Sequence, residues 1–163
     1  MKRRTAVLLM FGMMPWAELH AQSQSVSTTF RVQARVEAVC AVTASDLDFG
    51  AYTSQGSSPL TSTTILRATC TPGSTYNIGL SDGTGGGTIY SGRKMASGQN
   101  KLNYQLYRDS ARTNIWGNTT GTDTVQDVGT GLAKDHTVFG TIPAAQVVPS
   151  GDYADTITVR VSY

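Results

Sequence analysis

Residues 26–40 read Val26-Ser27-Thr28-Thr29-Phe30-Arg31-Val32-Gln33-Ala34-Arg35-Val36-Glu37-Ala38-Val39-Cys40. The even positions are apolar, small or neutral. The odd positions carry Ser27, Thr29, Arg31, Gln33, Arg35 and Glu37, and only Val39 breaks the rhythm. Successive side chains of an extended strand face opposite ways, so a period of two specifies β-structure rather than helix. The stretch is about twice the usual strand length of roughly five to six residues. Its length suits two strands, which can belong to two different molecules.

Upstream of it, residues 1–21 have the make-up of an export signal. Lys2, Arg3 and Arg4 form a basic start, Thr5 to Met14 an apolar run, Pro15 a break, and Ala21 a small residue suited to cleavage, with Ala17 a second candidate. The apolar run is shorter than the ~20 residues a spanning helix needs. The rest of the chain is therefore expected to be exported and soluble, with no membrane insertion. The chain carries 13 Lys+Arg and 11 Asp+Glu. The leader holds three of the former and one of the latter, so the remainder is balanced. Nothing in that charge pattern suggests a nucleic acid or an anionic membrane as partner.

Downstream, strand-like runs alternate with turns rich in Gly, Ser, Thr, Asn and Asp. Strands are expected at Leu47–Tyr52, Thr61–Cys70, Thr75–Ser81, Lys101–Arg108, Thr122–Val128, Thr137–Ile142 and Asp155–Tyr163. Leu66, Ala68 and Cys70 share a face, as do Tyr76, Ile78 and Leu80, then Leu102, Tyr104 and Leu106. Asp82–Gly87 (DGTGGG) reads as a loose hairpin loop. Residues 22–163 are enough for one domain with a real core. Short strands, frequent turns and no helical stripe predict an all-β, immunoglobulin-like antiparallel sandwich. Cys40 and Cys70 are expected to pair in an oxidising compartment, stabilising the fold by roughly 3.5–4 kcal/mol on the chain-entropy view.

The last strand runs to Tyr163 in full rhythm with no returning strand after it. This predicts a sandwich one strand short, with an open apolar groove between the sheets. Residues 22–34 are then a donor-strand extension, residues 35–163 the domain, and strand A runs from about Arg35 to Val42. Val26, Phe30 and Val32 are expected to fill sockets in a neighbouring copy, with Thr28 and Ala34 at shallower sites. The accepting edge is expected at Tyr153, Ile157, Val159, Val161 and Tyr163. The joint is a case of β-strand addition between molecules.

Chemical motifs are sparse. Gly79-Leu80-Ser81-Asp82-Gly83 matches G-x-S-x-G, but it leads into a glycine-rich hairpin rather than a helix. GTIYSGRK at 87–94 has Arg93 where a phosphate loop needs lysine. His136 is the one histidine beyond the leader and is expected at a loop or strand edge. Asp109, Asp123, Asp127 and Asp135 lack a calcium-loop spacing. Trp116 and Tyr107 are read as core residues, with sugar stacking the minor option. No catalytic residue, metal or cofactor is expected.

The chain resembles the spore coat protein U domain family, which includes subunits of archaic, Csu-type chaperone–usher pili. The resemblance rests on Leu102-Asn103-Tyr104-Gln105-Leu106-Tyr107-Arg108-Asp109, Ala111-Arg112-Thr113-Asn114, Gly151-Asp152-Tyr153-Ala154-Asp155-Thr156 and Val159-Arg160-Val161. Cys40, Phe49-Gly50, Cys70, Trp116-Gly117, Phe139-Gly140 and Pro143 support it. It implies a structural pilus subunit whose partners are a periplasmic chaperone, an outer-membrane usher, and copies of itself or related pilins. It further implies a fibre on the surface of a Gram-negative bacterium that supports attachment and biofilm formation. The alternatives are a secreted, monomeric carbohydrate-binding sandwich and a spore- or cell-coat protein.

Overall fold

The computed structural model describes residues 23–163; the expected export signal at 1–21 lies outside the described residues. Two units meet in sequence between Ala34 and Arg35. Within the first, Ser23–Ala34 carry neither helix nor strand and are exposed throughout.

The second unit holds eight strands: β1 (Cys40–Ala44), β2 (Leu60–Cys70), β3 (Thr75–Leu80), β4 (Arg93–Ser97), β5 (Asn100–Tyr107), β6 (Val125–Val128), β7 (Ala133–Ile142) and β8 (Val159–Ser162). They form two antiparallel sheets, ordered β1-β2-β7-β5-β4 and β6-β3-β8. The three faces read from alternation become the core. Leu66, Ala68 and Cys70 of β2 meet Tyr76, Ile78 and Leu80 of β3 and Leu102, Tyr104 and Leu106 of β5. Trp116 closes that core, 1% exposed, its Nε1 donating to the Ile78 carbonyl at 2.8 Å. A buried Trp presents no stacking face to a sugar. Cys40 and Cys70 are directly paired in the β1–β2 ladder and form a disulfide, as expected.

Several boundaries differ from expectation. Strand A begins at Cys40 rather than Arg35. Its partner β2 ends at Cys70, and the chain then turns through Thr71–Ser74 into the other sheet; Val39 still bonds Thr71, and residues 35–38 have no ladder to join. Leu47–Tyr52 is not a strand. Leu47, Phe49 and Tyr52 do pack on the core, but Gly50 has φ +69° and its amide is capped by Asp48 Oδ1 at 2.7 Å. The alternation there reports side-chain burial without a ladder. β6 starts at Val125 rather than Thr122, and β8 starts at Val159 rather than Asp155.

The strand β4 was not expected. Arg93, weighed in the sequence only against a phosphate-loop pattern, is fully buried. Its guanidinium donates to the carbonyls of Ser81 (2.8 Å), Leu80 (3.2 Å) and Trp116 (2.8 Å) and to Gln105 Oε1 (2.7 Å). Those bonds offset the cost of desolvating the charge. His136 lies in β7 rather than in a loop, paired with Leu66 of β2 and short of the β5 ladder, which begins at Phe139; its Nε2 and Tyr76 OH are hydrogen-bonded at 3.0 Å.

Candidate functional site: an open groove between two sheet edges

β1 ends one sheet and β8 ends the other. The two strands lie side by side without hydrogen bonding to each other. Past that approach, between the chain leaving β1 (residues 44–47) and the chain entering β8 (residues 153–159), opens a cleft of about 390 Å³. Leu66, Leu80, Leu106 and Val138 form its floor. Ala44, Ser45, Asp46 and Leu47 make one wall, and Ile157 and Val159 the other. Met95, Phe49 and Tyr153 line its far end and are shared with a second cleft of about 690 Å³ that continues past them. Both flanking strands keep one row of backbone N–H and C=O groups unpaired among the described residues. An apolar floor beside such open edges is the kind of surface that strand addition covers.

Of the residues expected at the accepting edge, Tyr153, Ile157 and Val159 line this cleft. Val161 packs half-buried against the core, paired with Ile78 across the β3–β8 ladder. Tyr163 stands 60% exposed, outside the cleft. On the other side of the expected joint, Val26 is fully exposed, Phe30 86% and Val32 82% exposed. Thr28 and Ala34 are exposed too.

The sequence reading missed the floor and the β1-side wall. Leu66, Leu80 and Leu106 were legible as core from their alternation. That this core stays open along one seam is a property of sheet order, which alternation does not report. It also missed how the groove end is fixed. Ala154 bridges the outer edge of β4, exchanging hydrogen bonds with Ala96 at 2.8 and 3.1 Å, before the chain crosses to the other sheet as β8. Asp155 sits at that crossing. Its Oδ1 accepts from the amides of Thr84 (2.6 Å), Gly85 (2.9 Å) and Thr156 (2.7 Å) and from Thr84 Oγ1 (3.1 Å); its Oδ2 accepts from Tyr104 OH (2.6 Å). Asp82–Gly87 is therefore latched rather than loose. Gly85 is required there: a Cβ would fall 1.5 Å from the Lys94 carbonyl oxygen.

The motif residues of the sequence have structural roles in this frame. Asp109 gathers the amides of Thr113 (3.1 Å) and Asn114 (2.7 Å). Burial opposes its ionisation, but these bonds hold its carboxyl below the usual range. Arg108 donates to the carbonyls of Thr124 and Thr122. Ser81 Oγ accepts from the amides of Thr158 (2.9 Å) and Gly83 (3.3 Å). Its neighbours are backbone amides, and His136 is engaged with Tyr76, so the G-x-S-x-G match has no assembled base. Among the described residues, no group of three or more His, Cys, Asp or Glu could hold a metal ion. No helix there is long and apolar enough to cross a membrane.

Comparisons with known proteins bear on the family and the fold. Protein U of Myxococcus xanthus is 32% identical over 158 residues, covering 88% of each chain. Among solved structures, the chain is similar to one from the CsuC-CsuE chaperone-tip adhesion subunit pre-assembly complex of the archaic chaperone-usher Csu pili of Acinetobacter baumannii. The TM-score is 0.56 at 23% identity, over 78% of this chain and 40% of that one. That likeness carries the fold, an immunoglobulin-like sandwich of two antiparallel sheets. The Spore Coat Protein U domain model matches residues 26–160, and the chain belongs to that family.

Proposed function

We propose that the protein is a structural subunit of a surface fibre, joined head to groove with its neighbours. The observation that carries this reading is the apolar cleft between the chain leaving β1 and the chain entering β8, in a molecule whose head is exposed and strand-patterned. Residues 22–34 of one copy add a strand to the groove of the next. Val26, Phe30 and Val32 fill the floor, with Thr28 and Ala34 in shallower places. Tyr153, Ile157, Val159 and Val161 flank the incoming strand, with Tyr163 at the rim. Each large apolar side chain contributes on the order of 1.5–3 kcal/mol on full burial. Each ladder hydrogen bond adds about 1 kcal/mol. One strand so held makes a long-lived joint.

Before assembly the same groove needs a temporary partner, because an open apolar seam with bare edges aggregates. The solved relative is described as a chaperone–subunit complex from chaperone-usher pili. By that likeness, a periplasmic chaperone holds the groove and an outer-membrane usher exchanges it for the next head. Export through the periplasm of a Gram-negative bacterium, surface attachment and biofilm support belong to the same reading. So does a non-catalytic role without cofactor.

Phe30→Asp tests the assignment, since Phe30 is the largest side chain of the head. Co-expressed with its chaperone and usher, this variant should lose fibres while the chaperone still co-purifies. Wild-type fibre yield from Phe30→Asp would overturn the donor role.

A further inference from the structure

We propose that Asp46 selects what enters the groove by pairing with Arg31 of the incoming head, so that the favoured occupant is a second copy of this same chain. The inference rests on the strand-addition reading above and concerns partner choice within it.

The groove lining contains two carboxylates, Asp46 and Asp155, and neither lysine nor arginine. Asp155 is already engaged by the amides of Thr84, Gly85 and Thr156 and the hydroxyls of Thr84 and Tyr104. Asp46 is exposed and makes no ion pair or side-chain hydrogen bond with any other described residue. It stands two residues beyond the end of β1, on the wall that an added strand would run along. On the head, Arg31 is the single charged side chain among residues 23–34. It lies between Phe30 and Val32. When those two face the floor, the period of two turns Arg31 outward to the rim. Asp46 lies past the ladder of β1, so the pairing relies on the long arginine side chain reaching the wall from the rim. The groove supplies one uncommitted negative charge and the head one positive charge.

A rim pair of this kind acts on the rate of docking and on the choice of partner more than on the depth of the final joint. The test is charge reversal in the full-length chain, exported and purified with its head intact. Rates of polymer growth are followed by light scattering for wild type, Asp46→Lys, Arg31→Glu and the double variant. Each single variant should slow growth about tenfold at low salt, and the double variant should return to within about twofold of wild type. The difference should shrink at high salt, where exposed charges are screened. Melting curves check folding, and Asp46→Asn with Arg31→Gln supply a milder, uncharged pair whose effects should not add. Slowing without rescue in the double variant, or no slowing at all while wild type polymerises, overturns the Asp46–Arg31 pairing and leaves the groove reading standing. Wild type that forms no polymer under any of these conditions overturns both.

Discussion

Tyr104 OH donates to Asp155 Oδ2 at 2.6 Å, tying the middle of β5 to the segment that crosses from one sheet to the other. The bond is charge-assisted, and burial together with Asp155 pushes the phenol well above the usual tyrosine range. The hydroxyl thus stays protonated and keeps donating. Asp155 in turn holds the loop at 82–87, so one carboxylate fixes both the groove end and the glycine-rich turn.

Tyr104→Phe should therefore lower stability by about 1.5–3 kcal/mol, the usual cost of losing a hydrogen bond to a charged group. The urea midpoint measures it. Asp155→Asn should cost at least as much and should also open residues 82–87 to limited proteolysis. Resistance of that loop in Asp155→Asn would show that the latch is dispensable.

The disulfide joins residues 30 apart in sequence. Replacing Cys40 and Cys70 together by serine should cost about 3–4 kcal/mol. The loss should fall first on β1, a five-residue edge strand held by β2 alone. Amide exchange in Ala41–Ala44 should accelerate more than in β7, which lies inside the sheet.

Gly140 lies where Leu47 and Phe49 come down onto the sheet. A Cβ there would stand 2.7 Å from Leu47 Cδ2 and 2.7 Å from Phe49 Cζ. Gly140→Ala should cost about 1–3 kcal/mol through overpacking. Because Leu47 and Phe49 line the groove, the same change should also weaken binding of a synthetic head peptide.

His136 supplies the pH dependence. Burial holds its imidazole below the ordinary histidine range; Asp127 and Asp135 pull upward, while Lys134 adds to the lowering. A depressed folded-state value means that the unfolded chain takes up the proton first. Stability is then full above the ordinary histidine pKa of about 6.5 and falls as the pH drops below it. Asp127, lowered by its bond to Lys134, and Asp135, lowered by Arg67, keep their contribution until the pH falls below the usual carboxylate range. The melting temperature should drop between pH 8 and pH 5.5, and His136→Gln should flatten that drop. An unchanged slope in the variant would remove His136 as its source.

Much of this molecule could be read from the order of its residues. β2 buries one face and exposes the other, and that half-burial writes a period of two into the sequence; β3, β5 and β7 keep the same core-facing rhythm although their second face is partly covered. Where burial and hydrogen bonding part company, the pattern misleads: Leu47, Phe49 and Ile157 alternate because they line or cap the groove, not because they lie in a ladder. β4 escaped notice because its first residue, Arg93, is a charge whose burial depends on four acceptors brought by other segments. Of the accepting edge expected from the last strand, Tyr153, Ile157 and Val159 line the cleft, whereas Val161 and Tyr163 do not. The cleft's floor was not legible, because which strands stand at the edges is decided by long-range pairing.

The central claim is that the head of one copy lies in the groove of another. A photo-crosslinking phenylalanine analogue at position 30, in a mixture of ¹⁴N- and ¹⁵N-labelled full-length chains, tests it most directly. The account predicts mixed-isotope crosslinks from position 30 to the groove, at Leu66, Leu80, Leu106 or Val159. Crosslinks confined to single-isotope pairs, with the head bonded to its own chain, would contradict it.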